Sequence, residues 1–222
     1  MACWSAENAT KAYLRALKMG KRGKEPDVAE FISALAAGNN AQLMVMASSG
    51  AIDNTPMALG LIAAAHQTKG RVMMILSSFQ ELQVYENSLG PHSRFVEFLV
   101  GDSAALLLDE LKSADFVLID CKSDHQEQVF KAASGNSNGA LIVGYNAQHE
   151  GGKWSRSELT DTQFLPIGEG LLVSRAVMNK GCRKIGGLTK KSCWVVKVDE
   201  LTGEEHVFRI VSPRTRDHTI RA

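Results

Sequence analysis

The sequence has few cysteines, no excess of charge of either sign and no long apolar run. Its four cysteines among 222 residues form no CxxC pair, and no histidine stands beside them at metal-ligand spacing. This pattern indicates neither a disulfide framework nor a zinc site. No run of about 18 apolar residues occurs, and the opening MACWSAENATK has no signal-peptide core. We therefore expect reduced thiols, no association with a membrane and a cytoplasmic location.

The charge is balanced overall but uneven along the chain. The formal net charge is only +1, which argues against a protein that binds polyanions over its whole surface. Two segments are basic: the N-terminal region with Lys11, Arg15, Lys18, Lys21, Arg22 and Lys24, and the glycine-bearing segment 180–191. Each is either a patch for an anionic partner or a solvated surface. The 180–191 segment carries no RNP-like aromatic pattern or zinc finger, so we predict no nucleic-acid partner.

Helical and strand patterns alternate from the start of the chain to about residue 145. Capping residues and apolar periodicity predict helices over 5–19, 26–38, 55–69, 79–89, 102–111 and 124–133. Continuous apolar segments predict strands from residue 42 and over 71–76, 95–100, 116–120 and 140–145. Strands that are apolar throughout are buried on both faces. The sequence therefore predicts a parallel sheet with helices on both sides.

The last third of the chain follows a different pattern. Residues 146–161 are polar and glycine-bearing, which predicts a loop, and 162–174 contains the apolar segments FLPIG and GLLVS. Residues 192–211 alternate and predict a hairpin that turns at Thr202 and Gly203. We expect an antiparallel strand or hairpin to finish the sheet. One domain over 1–222 is predicted, with N-terminal helices (1–38), an α/β core (39–175) and a basic loop, hairpin and tail (176–222).

The segment QLMVMASSGAIDN, residues 42–54, is the candidate ligand site. An apolar strand breaks at Ser48, Ser49 and Gly50 before a helix, and such a strand, turn and helix can hold a nucleotide-like ligand on backbone N–H groups. The segment contains neither a complete GxGxxG nor a GxxxxGK[ST] pattern. A simple turn is therefore the alternative interpretation.

Five segments together carry a family resemblance. They are EPDVAEFISAL, LMVMASSG, LVGDSAALL, FVLIDCKSD and FLPIGEGLLVSR. In this order they resemble S-adenosylmethionine-dependent O-methyltransferases of the catechol and caffeoyl-coenzyme A type, and the whole chain resembles a plant family of unknown function. The resemblance implies a Rossmann-like methyltransferase fold: a mostly parallel seven-stranded sheet with an antiparallel C-terminal strand or hairpin and helices on both faces.

The resemblance also implies a site for S-adenosylmethionine. The positions that match the cofactor motifs are Ser48, Ser49, Gly50, Ser77, Ser78, Gly101, Asp102 and Ser103. The cofactor motifs differ from the family at two places. In the first strand, Met44 and Met46 stand where the family has an acidic residue. After the second strand, serines stand where the family has the carboxylate that holds the ribose. Asp102 has an alternative interpretation as a helix cap.

The metal motif of these enzymes is only partly present. Catechol-type enzymes hold magnesium with an aspartate after the fourth strand and an Asp-Asn pair after the fifth. Asp120 matches the first ligand, and the pair falls on Asn146 and Ala147. We therefore predict no metal. Asp120 is the candidate catalytic residue, and His125 and His149 are placed by the fold near the same edge.

Two functions follow from these matches and departures. The first is a methyltransferase-like protein with a small-molecule substrate, metal-independent or catalytically impaired, which is expected to form homodimers by analogy with its relatives. The alternative is a non-catalytic binding or interaction module that keeps the fold.

Overall fold

The computed structural model describes residues 4–20, 27–48, 54–135, 139–149, 160–176, 192–198 and 205–211. The chain divides into two compact units, residues 1–180 and residues 181–222. Among the described residues, no helix combines the length and the apolar character needed to cross a membrane.

Seven strands form one sheet in the first unit. They are β1 (Leu43–Ala47), β2 (Arg71–Leu76), β3 (Val96–Val100), β4 (Phe116–Asp120), β5 (Leu141–Tyr145), β6 (Thr160–Leu165) and β7 (Leu171–Ala176). Their order is β3-β2-β1-β4-β5-β7-β6. All pairs from β3 to β5 are parallel, and β7 runs antiparallel to both β5 and β6. The predicted fold class is confirmed.

Among the described residues, six helices cover the two faces of this sheet. They are α1 (Ala6–Met19), α2 (Val28–Gly38), α3 (Thr55–Thr68), α4 (Phe79–Leu89), α5 (Ser103–Leu108) and α6 (Gln126–Ser134). Residues of α1 to α4 belong to one buried cluster and residues of α5 and α6 to the other. Within β1, Met44 and Met46 enter the first cluster, whereas Val45 and Ala47 enter the second. Alternate side chains of a strand point to opposite faces, so an apolar strand supplies both cores.

Local sequence explains the main helix boundaries. Ser5 caps α1 by accepting a hydrogen bond from the Asn8 N–H, as predicted. Asp27 and Glu30 form a capping box, so α2 begins at Val28 rather than near residue 26. Helices α2 and α3 approach closely at Gly60, where a Cβ atom would lie 2.6 Å from a carbonyl oxygen of α2. Glycine is needed there because any larger residue would push the two helices apart.

Three further boundaries differ from prediction. Helix α5 ends at Leu108 rather than near 111, because Asp109 leaves the helical region with φ −114° and ψ −84°. Helix α6 begins at Gln126 rather than 124, because the Ser123 N–H donates to the Asp120 carbonyl and forms a turn first. The predicted loop 146–161 is shorter, because β6 begins at Thr160 and pairs with β7.

The second unit contains the predicted hairpin. Strands β8 (Ser192–Val198) and β9 (Glu205–Val211) pair antiparallel, with Val198 opposite Glu205. They form their own two-stranded sheet, and the antiparallel end of the main sheet is formed by β6 and β7. The predicted turn at Thr202 and Gly203 lies outside the described residues.

Candidate functional site

A cavity opens where the carboxyl ends of the parallel strands meet. Its volume is about 520 Å³. In an open α/β sheet, ligands bind beyond the carboxyl ends of the strands, where the strand order reverses. Here the order reverses between β1 and β4, and the cavity is lined by residues that follow β1, β2, β3 and β4. The cavity is therefore the candidate site.

The cavity brings together five of the eight predicted cofactor residues. They are Ser48, Ser77, Gly101, Asp102 and Ser103. These residues come from turns after three different strands, which only the fold places side by side. Ser49 and Gly50 lie outside the described residues.

The remaining predicted residue, Ser78, has a structural role. Its Oγ accepts a hydrogen bond from the Glu81 N–H at 3.3 Å and caps α4. Glu81 in turn accepts a hydrogen bond from the Ser77 N–H at 2.9 Å through Oε2. A carboxylate therefore lies beside the carboxyl end of β2, although the sequence has serines at that place. The S-x-x-E pattern of residues 78–81, which is typical of a helix capping box, could have predicted this carboxylate.

Asp102 has the predicted capping role and also lines the cavity. Its Oδ1 accepts a hydrogen bond from the Ala105 N–H at 2.8 Å, which caps α5. The carboxylate is exposed, and Oδ2 has no partner among the described residues. The two interpretations of Asp102 are therefore compatible.

A buried network of polar side chains lies against β1. The Ser48 Oγ and Tyr85 hydroxyl are 2.7 Å apart, and Tyr85 is only 1% exposed. The Tyr85 hydroxyl also hydrogen-bonds Asn54. Burial raises the pKa of Tyr85, the two hydrogen bonds lower it, and the charges of Glu81 and Asp120 raise it further. One neutral hydroxyl therefore links the end of β1 to the start of α3.

Asp120 is the acceptor at the other end of this network. It is 1% exposed, at the end of β4. Its Oδ2 accepts a hydrogen bond from the Asn54 Nδ2 at 3.3 Å. Its Oδ1 accepts from the Asn146 Nδ2 and from the Lys122 N–H, both at 3.0 Å. Asn146 adopts a left-handed φ of 60°, a conformation that asparagine tolerates better than most residues. The carboxylate of Asp120 is thus held by donors from three segments.

Tyr145 provides a contrast to Tyr85. It is 2% exposed, and its hydroxyl has no hydrogen-bond partner of acceptable geometry among the described residues. Burial raises the pKa of Tyr145 well above its usual value, and the nearby Asp120 carboxylate raises it further. The hydroxyl stays neutral across the ordinary pH range.

Charged side chains border the cavity after β4. Lys122 lines it and forms an ion pair with Glu169 at 2.6 Å. Asp124 and His125 also line it. Of the predicted histidines, His125 therefore reaches the cavity, and the side chain of His149 lies outside the described part of the chain. Lys122 was missed because a lysine two residues after a strand carries no motif of its own.

The residues at the implied magnesium position do not fit a divalent cation. The oxygens of Asp120 already accept three N–H groups, and Ala147, at 0% exposure, offers no side-chain ligand. Hard cations need several oxygen ligands. Across the described ranges, no three His, Cys, Asp or Glu side chains are grouped so that they could hold a metal ion.

Solved structures of methyltransferases share this fold. An O-methyltransferase from Bacillus cereus in complex with SAH is 13% identical, covers 78% of this chain and 92% of its own, and has a TM-score of 0.53. The SAH-bound methyltransferase PaMTH1 from Podospora anserina is 11% identical, with coverages of 79% and 90% and a TM-score of 0.54. The O-methyltransferase TomG from Streptomyces achromogenes, in complex with SAM, is 16% identical, with coverages of 75% and 90% and a TM-score of 0.50. At these identities the likeness establishes the fold.

Sequence comparison gives the family. No curated protein matches the chain. A family profile matches residues 1–210, which is nearly the whole sequence. The chain therefore belongs to the family described as Protein of unknown function (DUF1442).

Proposed function

We propose that this protein binds S-adenosylmethionine, or its demethylated product S-adenosylhomocysteine, in the cavity at the carboxyl ends of β1 to β4. The observation that carries the proposal is the convergence of Ser48, Ser77, Gly101, Asp102 and Ser103 on one cavity. A volume of about 520 Å³ lies within the range of small-ligand pockets. Structures with the same fold contain SAH or SAM, which supports this choice of ligand.

The polar groups around the cavity suit the two ends of a nucleoside. Asp102 and Ser103 follow β3, and their free oxygens would accept a hydrogen bond from the exocyclic amine of adenine. Ser77 follows β2, and Glu81 beside it supplies a carboxylate that would accept hydrogen bonds from the ribose hydroxyls. Glu81 would thus replace the acidic residue that the sequence lacks at the end of β2.

The buried network would hold the two ends of segment 49–53, which lies between β1 and α3 in the sequence, in position for the cofactor. Ser48 and Asn54 stand at either side of residues 49–53, and both bind the Tyr85 hydroxyl. Asn54 is also fixed by Asp120. Because the Asp120 carboxylate is buried and held by three donors, we assign it a positioning role within the site.

Methyl transfer to a small-molecule substrate would need a proton acceptor in the cavity. His125 is the candidate, because it lines the cavity and is exposed to an incoming substrate. The donor set around Asp120 does not fit a metal ion, so we propose that any transfer is metal-independent. The transfer would then depend on the proximity of the two reactants and on the histidine.

A non-catalytic cofactor-binding module is the second candidate. The burial of Asp120 favours it, since the only residue retained from the catalytic motif cannot reach a substrate. Incubation with labelled S-adenosylmethionine and a panel of hydroxyl-bearing small molecules separates the two candidates. Catalysis is supported if the wild type transfers methyl groups and the His125→Ala variant still binds the cofactor but does not transfer them. Cofactor binding by the wild type without any transfer supports the non-catalytic module.

Calorimetry with S-adenosylhomocysteine tests binding itself. Asp102→Asn is a suitable variant, because asparagine also caps helices and stability stays within a few tenths of a kcal/mol. The substitution replaces a carboxylate by an amide in the cavity, and we expect roughly tenfold weaker binding. Asp109→Asn changes the same charge at the other end of α5 and should leave affinity unchanged. Equal affinities for wild type and Asp102→Asn would contradict the assigned role of Asp102.

A further inference from the structure

A cluster of cations lies at the amino ends of β2 and β3, away from the cavity. His66 is in the last turn of α3, which precedes β2, and Arg94 and Phe95 end the 3-10 turn Gly90–Phe95, which precedes β3. A strand rises about 3.3 Å per residue, so the length of β2 separates this surface from the cavity by roughly 15–20 Å. The proposed cofactor site leaves this surface without a role.

An aromatic ring holds two of the cations in place. The ring centroids of His66 and Phe95 are 4.8 Å apart in an edge-to-face arrangement with an interplanar angle of 66°. The Arg94 guanidinium carbon lies 4.8 Å from the centroid of the same ring. Phe95 remains 38% exposed. Aromatic and cation–π contacts of this kind fix the direction of both side chains at the surface.

Among the described residues, no ion pair balances the positive charges of the cluster. Burial lowers the pKa of His66, and the charges of Arg15, His92 and Arg94 lower it further, with no carboxylate acting on it. Arg15 comes from α1 and the other two from the 3-10 turn, so cations face His66 from both neighbouring elements. The ion pairs found within the described ranges use other cations. The buried Nδ1 of His92 has no hydrogen-bond partner among the described residues.

We propose that Arg15, His66, His92 and Arg94 form a binding site for the phosphoryl group of a small phosphate ester. Two guanidinium groups offer paired donors that match phosphate oxygens, and two imidazoles add donors when protonated. A phosphate ester carries up to two negative charges, which would neutralise the two guanidinium groups. The exposed edge of Phe95 beside it suits the organic part of the ester.

The arrangement favours a small ligand over a nucleic acid. His66 and Arg94 both contact the ring of Phe95, so two of the cations are fixed at one point and not along the path of a phosphodiester backbone. Lys11, one turn before Arg15 on α1, is already paired with Glu7. Of the basic N-terminal residues, Lys11 therefore belongs to an internal ion pair and Arg15 to this cluster.

Histidine NMR titration of the full-length protein tests the proposal. The resonances of His66 are followed from pH 5 to 8 with sodium chloride, inorganic phosphate or phenyl phosphate at matched ionic strength. A bound phosphoryl group should raise the measured pKa of His66 by about one pH unit. Binding should also tighten as the pH falls, because the protonated imidazole attracts the anion. Phenyl phosphate should bind more tightly than inorganic phosphate.

Variants identify the site. Arg94→Gln should raise the pKa of His66 in the free protein and weaken phenyl phosphate binding roughly tenfold. Arg15→Gln provides the same test should the first variant fold poorly. Lys112→Gln removes a positive charge after α5, on the other face of the sheet, and should change neither quantity.

Three results would overturn the proposal. The first is an equal rise in the pKa of His66 in chloride and in phosphate, which would show that the rise comes from general charge screening. The second is unchanged binding in both arginine variants. The third is binding of a single-stranded oligonucleotide without any binding of phenyl phosphate, which would show that the surface binds nucleic acid.

Discussion

Replacing Tyr85 by phenylalanine removes one hydroxyl from the buried network and nothing else. That hydroxyl bonds Ser48 at 2.7 Å and also bonds Asn54. A hydrogen bond contributes about 0.5–1.5 kcal/mol to stability, so two of them contribute about 2 kcal/mol. For a chain of this size, each kcal/mol changes the melting temperature by roughly 2–4 °C. We therefore expect Tyr85→Phe to lower the melting temperature by roughly 4–8 °C.

Tyr145→Phe is a matched control at the same edge of the sheet. Tyr145 is as buried as Tyr85, and its hydroxyl lies near the Asp120 carboxylate but makes no hydrogen bond of acceptable geometry among the described residues. Removing a buried hydroxyl that is poorly paired relieves part of its desolvation penalty. This variant should keep the wild-type melting temperature or exceed it.

Differential scanning calorimetry of the wild type and both variants measures these effects, and S-adenosylhomocysteine titration measures the second consequence. If the Tyr85 hydroxyl positions the two ends of segment 49–53, Tyr85→Phe should weaken S-adenosylhomocysteine binding about tenfold. Tyr145→Phe should leave the affinity unchanged. A stable Tyr85→Phe variant with wild-type affinity would refute the role of the network. Equal destabilisation by the two substitutions would refute the contrast between the two hydroxyls.

Three further substitutions test other parts of the structure by thermal unfolding. Asp120→Asn should destabilise by about 2–3 kcal/mol, because three N–H donors lose a charged acceptor, and an unchanged melting temperature would contradict the hydrogen-bond arrangement. Gly60→Ala should destabilise by about 1–3 kcal/mol, because its Cβ would lie 2.6 Å from a carbonyl oxygen of α2, and a neutral result would mean that the two helices are not in close contact. The pKa of His66 is lower in the folded protein than in the unfolded chain, so the unfolded chain binds the proton more tightly. The contribution of His66 to the free energy of unfolding is therefore fully present above its unfolded-state pKa and is lost as the pH falls through its folded-state pKa. Arg94→Gln should reduce that loss between pH 7.5 and 5.5, and an identical pH profile would contradict the coupling.

The fold was predictable because the strands are apolar throughout. Residues 71–76 and 116–120 were predicted with their observed ends, since buried parallel strands leave little ambiguity of period or length. The boundaries that differ depend on local hydrogen bonds, such as the capping box of Asp27 and the turn before α6. These contacts depend on single side chains, which periodicity does not detect.

The candidate site was predictable only where motifs resemble those of a family. Gly101, Asp102 and Ser103 keep a recognisable pattern, and they line the cavity. Tyr85 was missed because it acts from within a helix on a strand end 37 residues away, and Glu81 was missed because its carboxylate reaches the end of β2 from the first turn of the following helix. Only the three-dimensional structure brings such pairs together.

Binding of S-adenosylmethionine or its product in the cavity is measured by isothermal titration of the full-length protein with S-adenosylhomocysteine in a chelating buffer. We expect saturable binding of one ligand per chain, insensitive to the chelator, with a matching rise in melting temperature. The absence of both heat and thermal stabilisation at millimolar ligand would contradict the proposed binding.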